Sequence, residues 1–162
     1  MSNLSLVLKL SHNYVVRCYR NGNLRWEEII DNLVVTVGQN DILNKYYTGV
    51  AYTAANFIGL TTGTPVFAAS DTMASHVGWT EFSAYSEATR VAPTWGTAAG
   101  GIITSPAVVF NITGPGTVGG SFLTTDSAIL GSAGILVGGA VFSANRTVDT
   151  PDAINITPTA VV

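Results

Sequence analysis

General acid–base chemistry needs two titratable side chains converging on one substrate, and the carboxylate pairs to weigh here are Glu27 with Glu28 and Glu81 with Glu87. On a strand, adjacent residues point to opposite faces, so Glu27 and Glu28 cannot converge. Glu81 and Glu87 are separated by a turn, and Arg90 is expected to pair with one of them as a structural contact. Nucleophilic catalysis has as little to work with. The sequence holds no G-x-S-x-G elbow, and its two histidines, His12 and His76, lie in different contexts with only Asp71 near either. His76, in Ser75-His76-Val77-Gly78-Trp79, reads as a turn residue or as a packing partner of Trp79. A single cysteine, Cys18, excludes an internal disulfide framework and a Cys-rich zinc site. The expectation is a protein without catalytic residues, metal or cofactor.

Gly114-Pro115-Gly116-Thr117-Val118-Gly119 matches G-x-G-x-x-G literally. A dinucleotide site needs those glycines to open a helix, with an acid about 20 residues on. Gly119-Gly120-Ser121-Phe122 is a poor helix start and no acid stands at that distance, so the spacing predicts a turn between two strands. The N-x-[ST] triplets at Asn3, Asn111, Asn145 and Asn155 carry little meaning without a secretion signal. Trp26, Trp79 and Trp95 are dispersed, as core or interface anchors would be.

Those residues sit in a chain of 162 that is 47% hydrophobic, 10% charged and carries a net charge of -3. Soluble domains average about 25% charged residues, and a chain this apolar collapses rather than staying disordered. Seven scattered cations supply no nucleic-acid footprint. Residues 1–11 alternate Leu4, Leu6, Leu8 and Leu10 with polar or small residues and lack the continuous apolar core of a signal peptide, so assembly in the cytoplasm is expected. Residues 128–144 are an uncharged run near the lower limit of a membrane span. Four glycines in that run, two of them adjacent, argue instead for two short buried strands, 128–130 and 135–142.

Charge is uneven along the chain. Residues 1–45 hold nine of the seventeen charged side chains and residues 91–145 only Asp126. The second segment is therefore expected to contribute a subunit interface, with Val108, Val109, Phe110, Phe122, Ile135, Val137 and Phe142 as its candidate residues. Strand signals dominate. Residues 14–20 and 24–30 flank Asn21-Gly22, the preferred dipeptide of a type I′ hairpin turn. Further strands are expected over 55–60, 80–85, 88–95, 101–112, 117–123, 135–142 and 153–162, one short helix over 39–47 and a helical turn capped by Asp71. The class is all-β, an antiparallel sandwich or jelly-roll-like barrel with an N-terminal β-hairpin. It divides into a segment 1–35 and a body 36–162 within one continuous domain.

The stretches NDILNKYYTGVAYTAANFIGL and DTMASHVGWTEFSAYSEATR, with the preceding RCYRNGNLRWEEIIDNLV, resemble small virion proteins of tailed bacteriophages. The resemblance covers the first 90 residues. It implies a non-enzymatic structural role: a capsid decoration or cement protein, a homotrimer on the outer capsid surface that bridges subunits of the major capsid protein. A tail, connector or fibre-associated protein is the alternative. The charged N-terminal segment supplies the candidate shell contacts Lys9, Arg17, Arg20, Arg25, Glu27 and Glu28. No nucleic acid or membrane partner is expected.

Overall fold

Asn21 and Gly22 adopt φ of 51° and 76°, the left-handed pair that a type I′ turn requires, and so join β1 (Ser11–Arg20) to β2 (Asn23–Val34). In this computed structural model, which describes residues 10–49 and 56–162, the remaining elements follow in order. They are α1 (Thr36–Tyr47), β3 (Phe57–Thr62), β4 (Glu81–Phe82), β5 (Ile102–Thr104), β6 (Val108–Asn111), β7 (Gly116–Thr124), β8 (Leu136–Val148) and β9 (Asp152–Val161). The leucine alternation at Leu4, Leu6 and Leu8, and Lys9, lie outside the described residues.

All nine strands belong to one antiparallel sheet of order β4-β3-β7-β8-β2-β1-β9-β5, with β6 also paired to β9. The hairpin is not an appendage, because β1 lies between β2 and β9 and pairs with both along its length. Period-two alternation puts Tyr14, Val16 and Cys18 of β1, with Ile154 and Ile156 of β9, on the inner face. Ile58 and Leu60 of β3, Phe82 of β4, Phe110 of β6, Leu123 of β7 and Phe142 of β8 pack into that same core. Strands from both ends of the sheet thus face each other, and the sheet is folded over its own apolar face as a sandwich. Tyr85 meets Phe110 edge to face at 5.1 Å, Ser86 N–H donates to Asn111 O at 2.9 Å, and Thr113 N–H donates to Ala84 O at 3.0 Å. No strand pair links β4 to β6, so the sheet is not closed into a barrel.

Several local expectations are corrected. Residues 88–95 form no strand: Val91 makes one isolated bridge to Ile58 and Pro93 has no N–H to extend it. Residues 101–112 break into β5 and β6 around Ser105-Pro106. Residues 128–130 are a turn ending at Leu130, whose φ of 59° is incompatible with a strand. Asp71 caps no helix. Its carboxylate accepts the Ala68 N–H at 3.0 Å and the Trp79 indole N–H at 3.2 Å, pinning a loop. The helix is present but begins at Thr36, three residues before the expected start, and among the described residues no helix is long and apolar enough to cross a membrane.

The subunit-interface residues are corrected as well. Val108, Phe110, Phe122, Val137 and Phe142 are buried in the chain's own core, and only Val109 and Ile135 are partly exposed. Burial in the core accounts for only part of the charge depletion, because residues 92–107 of the same segment, Ser105 apart, are half-buried or exposed. The glycines of β8 serve the same packing: a Cβ on Gly138 would lie 2.4 Å from the Leu33 carbonyl oxygen. Around Gly22 no atom lies within 4 Å of a Cβ, so only its positive φ resists substitution. Gly22→Ala is therefore expected to cost about 1 kcal/mol and Gly138→Ala about 3 kcal/mol. Urea unfolding checks the order, and equal costs would contradict it.

Candidate functional site

The hairpin brings its charges to the surface in pairs. Arg17 and Glu27 face each other across β1 and β2 on the outer side and are ion-paired. Glu28 points to the opposite face, where it accepts the Ser143 N–H at 2.8 Å and pairs with Arg146 at 3.4 Å. Arg20 donates twice to Asp152, at 2.6 and 2.9 Å, and Arg25 once at 3.1 Å. Burial pushes the Asp152 carboxyl up, but hydrogen bonds from Arg20 and the Asp149 N–H, with the charges of Arg20 and Arg25, hold it below the usual range. Of the six proposed shell contacts, five are thus held in intramolecular pairs. Cys18 sits beneath this cluster, its thiol pushed up to about 11 by burial and by the Asp152 charge, and so is a poor nucleophile.

Arg90 is the most enclosed charge, 1% exposed. Its guanidinium clamps both oxygens of Glu81 at 2.9 Å, donates to the Asp126 and Gly131 carbonyls at 3.0 and 2.8 Å, and lies 5.2 Å from the centre of the Phe122 ring. Glu87 takes no part; it accepts from Asn111 at 3.1 and 2.7 Å. Glu81 also accepts the Leu130 N–H at 2.7 Å, so this acid is fully engaged as structure. His76 stacks on Trp79, centroids 3.6 Å apart and planes 10° from parallel, as its sequence context implies. Asp71 is turned to Trp79 rather than to His76, so these three form no triad. Gly116 opens β7, a strand, and the glycine loop therefore cradles no phosphate at a helix end. Among the described residues no three His, Cys, Asp or Glu side chains cluster as metal ligands.

One site was missed from sequence. At the end of the sandwich where β1 begins, α1, the start of β3 and the 92–95 loop line a recess of about 630 Å³ that is open to solvent. Its walls include Ile42, Phe57, Trp95, Leu123 and Val137, and His12 of β1 lines it beside its β9 partner Ala160. His12 is 6% exposed, and its Nδ1 is buried without a hydrogen-bond partner. Burial pushes the imidazole down to about 4, which keeps it neutral near pH 7. Asp41 and Lys45, ion-paired at 2.6 Å one helical turn apart, also line the recess. The signal was present in the sequence: His12, Tyr14, Val16 and Cys18 share one period-two face, so His12 had to point inward.

No protein-family model matches the chain, and no curated protein is significantly similar to it.

Two outcomes follow from the buried charges. Arg90→Met strands the Glu81 carboxylate in the interior and is expected to cost about 3–5 kcal/mol, whereas Arg17→Met, at an exposed pair, is expected to cost about 0.5 kcal/mol; equal urea midpoints would contradict the difference. For His12 the unfolded chain binds a proton below the ordinary imidazole value of 6.5 and the folded chain only near 4. Stability therefore falls as pH drops from 6.5 to 4, by about 3 kcal/mol for this group. The Asp152 contribution is lost at lower pH still, because its folded pKa lies below the ordinary 3.8. Comparing wild type with His12→Phe between pH 7 and pH 4 isolates the effect, and parallel curves would refute it.

Proposed function

We propose that this chain is a non-enzymatic structural protein of a tailed-phage particle, a decoration protein that bridges neighbouring major capsid protein subunits on the outer surface. The resemblance of residues 1–90 to small phage virion proteins supports the class. The observation that favours binding over chemistry is the contrast between engaged and free side chains. Arg90, Glu81, Asp152 and Glu28 are all committed to internal contacts, while large apolar side chains stand in solvent on the hairpin side of the sheet. Ile29 is 71% exposed, and Leu33 and Val141 each 42%, on the outer faces of β2 and β8. With the Arg17–Glu27 pair beside Ile29 in register, they form a mixed apolar and charged patch suited to a protein partner.

The mechanism is selective binding. Contact area available only in the closed lattice stabilises that lattice over the broken one, as any partner that binds one state does. This reading moves the shell contact from the hairpin charges alone to the apolar patch they frame. A homotrimer, which the resemblance alone implies, would draw on exposed residues rather than on Phe110 or Phe122.

Particles assembled with wild-type protein are expected to survive osmotic shock and heating that open particles lacking it. Ile29→Lys with Leu33→Lys, in protein shown to remain folded, should abolish the protection. Equal survival with and without the protein would overturn the decoration reading in favour of a tail or connector role.

A further inference from the structure

Residues 92–107 carry no charge yet stand largely in solvent, and packing of the core does not account for them. Within them Gly100 and Gly101, at φ of 60° and 78°, turn the chain back on itself. Gly96 N–H donates to Thr104 O at 3.0 Å, and Ala99 and Ile102 exchange both backbone hydrogen bonds, at 2.9 and 3.1 Å. Because β5 also pairs with β9, residues 94–99 form the outermost segment on that side of the sheet, one beyond β5. Its outward edge is bare. Among the described residues, the Trp95, Thr97 and Ala98 N–H groups have no hydrogen-bond partner. Residues 94–105 hold neither a charged residue nor a proline, two devices that usually keep an exposed edge from pairing. The opposite end of the sheet differs, since β4 is two residues long and its Glu81 is clamped by Arg90.

We infer that this edge pairs with the same edge of a second copy of the chain, antiparallel, so that the sheet runs through from one copy into the other. An antiparallel pair of identical strands is related by a two-fold axis and closes at two copies, in place of the homotrimer that the resemblance implies. A second copy is the matched occupant because the edge is neutral. It offers a charged partner nothing to pair with, whereas two such edges meet without repulsion. The exposed residues Gly96, Ala98, Ala99, Gly100 and Gly101 have no large side chain to anchor in a foreign pocket, so recognition falls to the main chain, and each edge supplies donors and acceptors to the other. An edge this short buries less than the roughly 1,200 Å² at the lower end of stable complexes, so the pair forms at high concentration. The pairing rests on the edge alone. Its use rests on the decoration reading, because a pair carries two Ile29–Leu33 patches and holds two shell subunits at once.

Sedimentation of the purified chain from about 5 µM to about 500 µM is expected to show monomer passing to dimer. Over the same range, amide exchange at Trp95, Thr97 and Ala98 should slow about threefold or more, with no change at the exposed loop residues Ser132 and Ala133. Thr97→Lys, which sets a cation on each edge, should weaken association about tenfold or more without moving the urea midpoint. Ser132→Lys, the same charge change at an exposed site off the edge, should leave association unchanged. Should Thr97→Lys fail to fold, the exchange map of the wild-type chain decides alone. The inference is overturned by a monomer at every concentration, by a trimer, by folded Thr97→Lys that associates as the wild type does, or by slowed exchange only outside residues 94–99. The isolated chain is measured without particles, so loss of the pairing leaves the decoration reading standing, and a dimer that protects no particle leaves the pairing standing.

Discussion

A single antiparallel sheet with one strongly apolar face must cover that face, and the described residues hold one short helix and few charges with which to do so. The sheet solves the problem by folding over itself, so that β3 and β4 come to face β6 and β9 across a shared core. Much else follows from that geometry. Strand β8 carries glycines where β2 and neighbouring loops approach too closely for a Cβ. The β4 end of the sheet is fastened to the 126–131 loop by Arg90, whose five donors match two carboxylate oxygens and two carbonyls at once. A lysine at that position would reach one acceptor well and leave others orphaned.

Charge is placed by the same constraint. Side chains that enter the interior do so paired and hydrogen-bonded, as the cost of an isolated buried ion demands. Asp152 gathers Arg20 and Arg25 at the closed end of the hairpin, and Glu28 holds Arg146 of β8, whose guanidinium lies 4.9 Å from the centre of the Trp26 ring. The surface is left to be defined by apolar residues such as Ile29 and by small polar ones.

The hairpin was legible because its signals are local: Asn21-Gly22 at the turn and alternation on both sides of it. The pairing of Arg90 with Glu81 was legible as chemistry, but not which acid would be chosen, since that depends on β4 lying beside the 126–131 loop. Charge depletion in residues 91–145 reflects core burial at Val108, Phe110, Phe122, Val137 and Phe142, which sequence alone does not distinguish from an interface, while residues 92–107 are uncharged and yet largely exposed. Residues 88–95 alternate like a strand, yet Pro93 and the single bridge at Val91 leave them a loop. The recess was half legible. His12 shares the face of Tyr14, but the open recess it lines needs α1, β3, β7 and β8 to converge, and no local pattern encodes that convergence.

The central claim is that this chain acts by occupying repeated positions on a particle's outer surface. A density map of the purified particle at a resolution that traces the sheet tests it most directly. The account predicts the sandwich on the exterior of the shell, in copies that follow the shell lattice, with the Ile29 and Leu33 face turned toward the major capsid protein. Density for the chain confined to the tail, or the chain absent from the particle altogether, would contradict it.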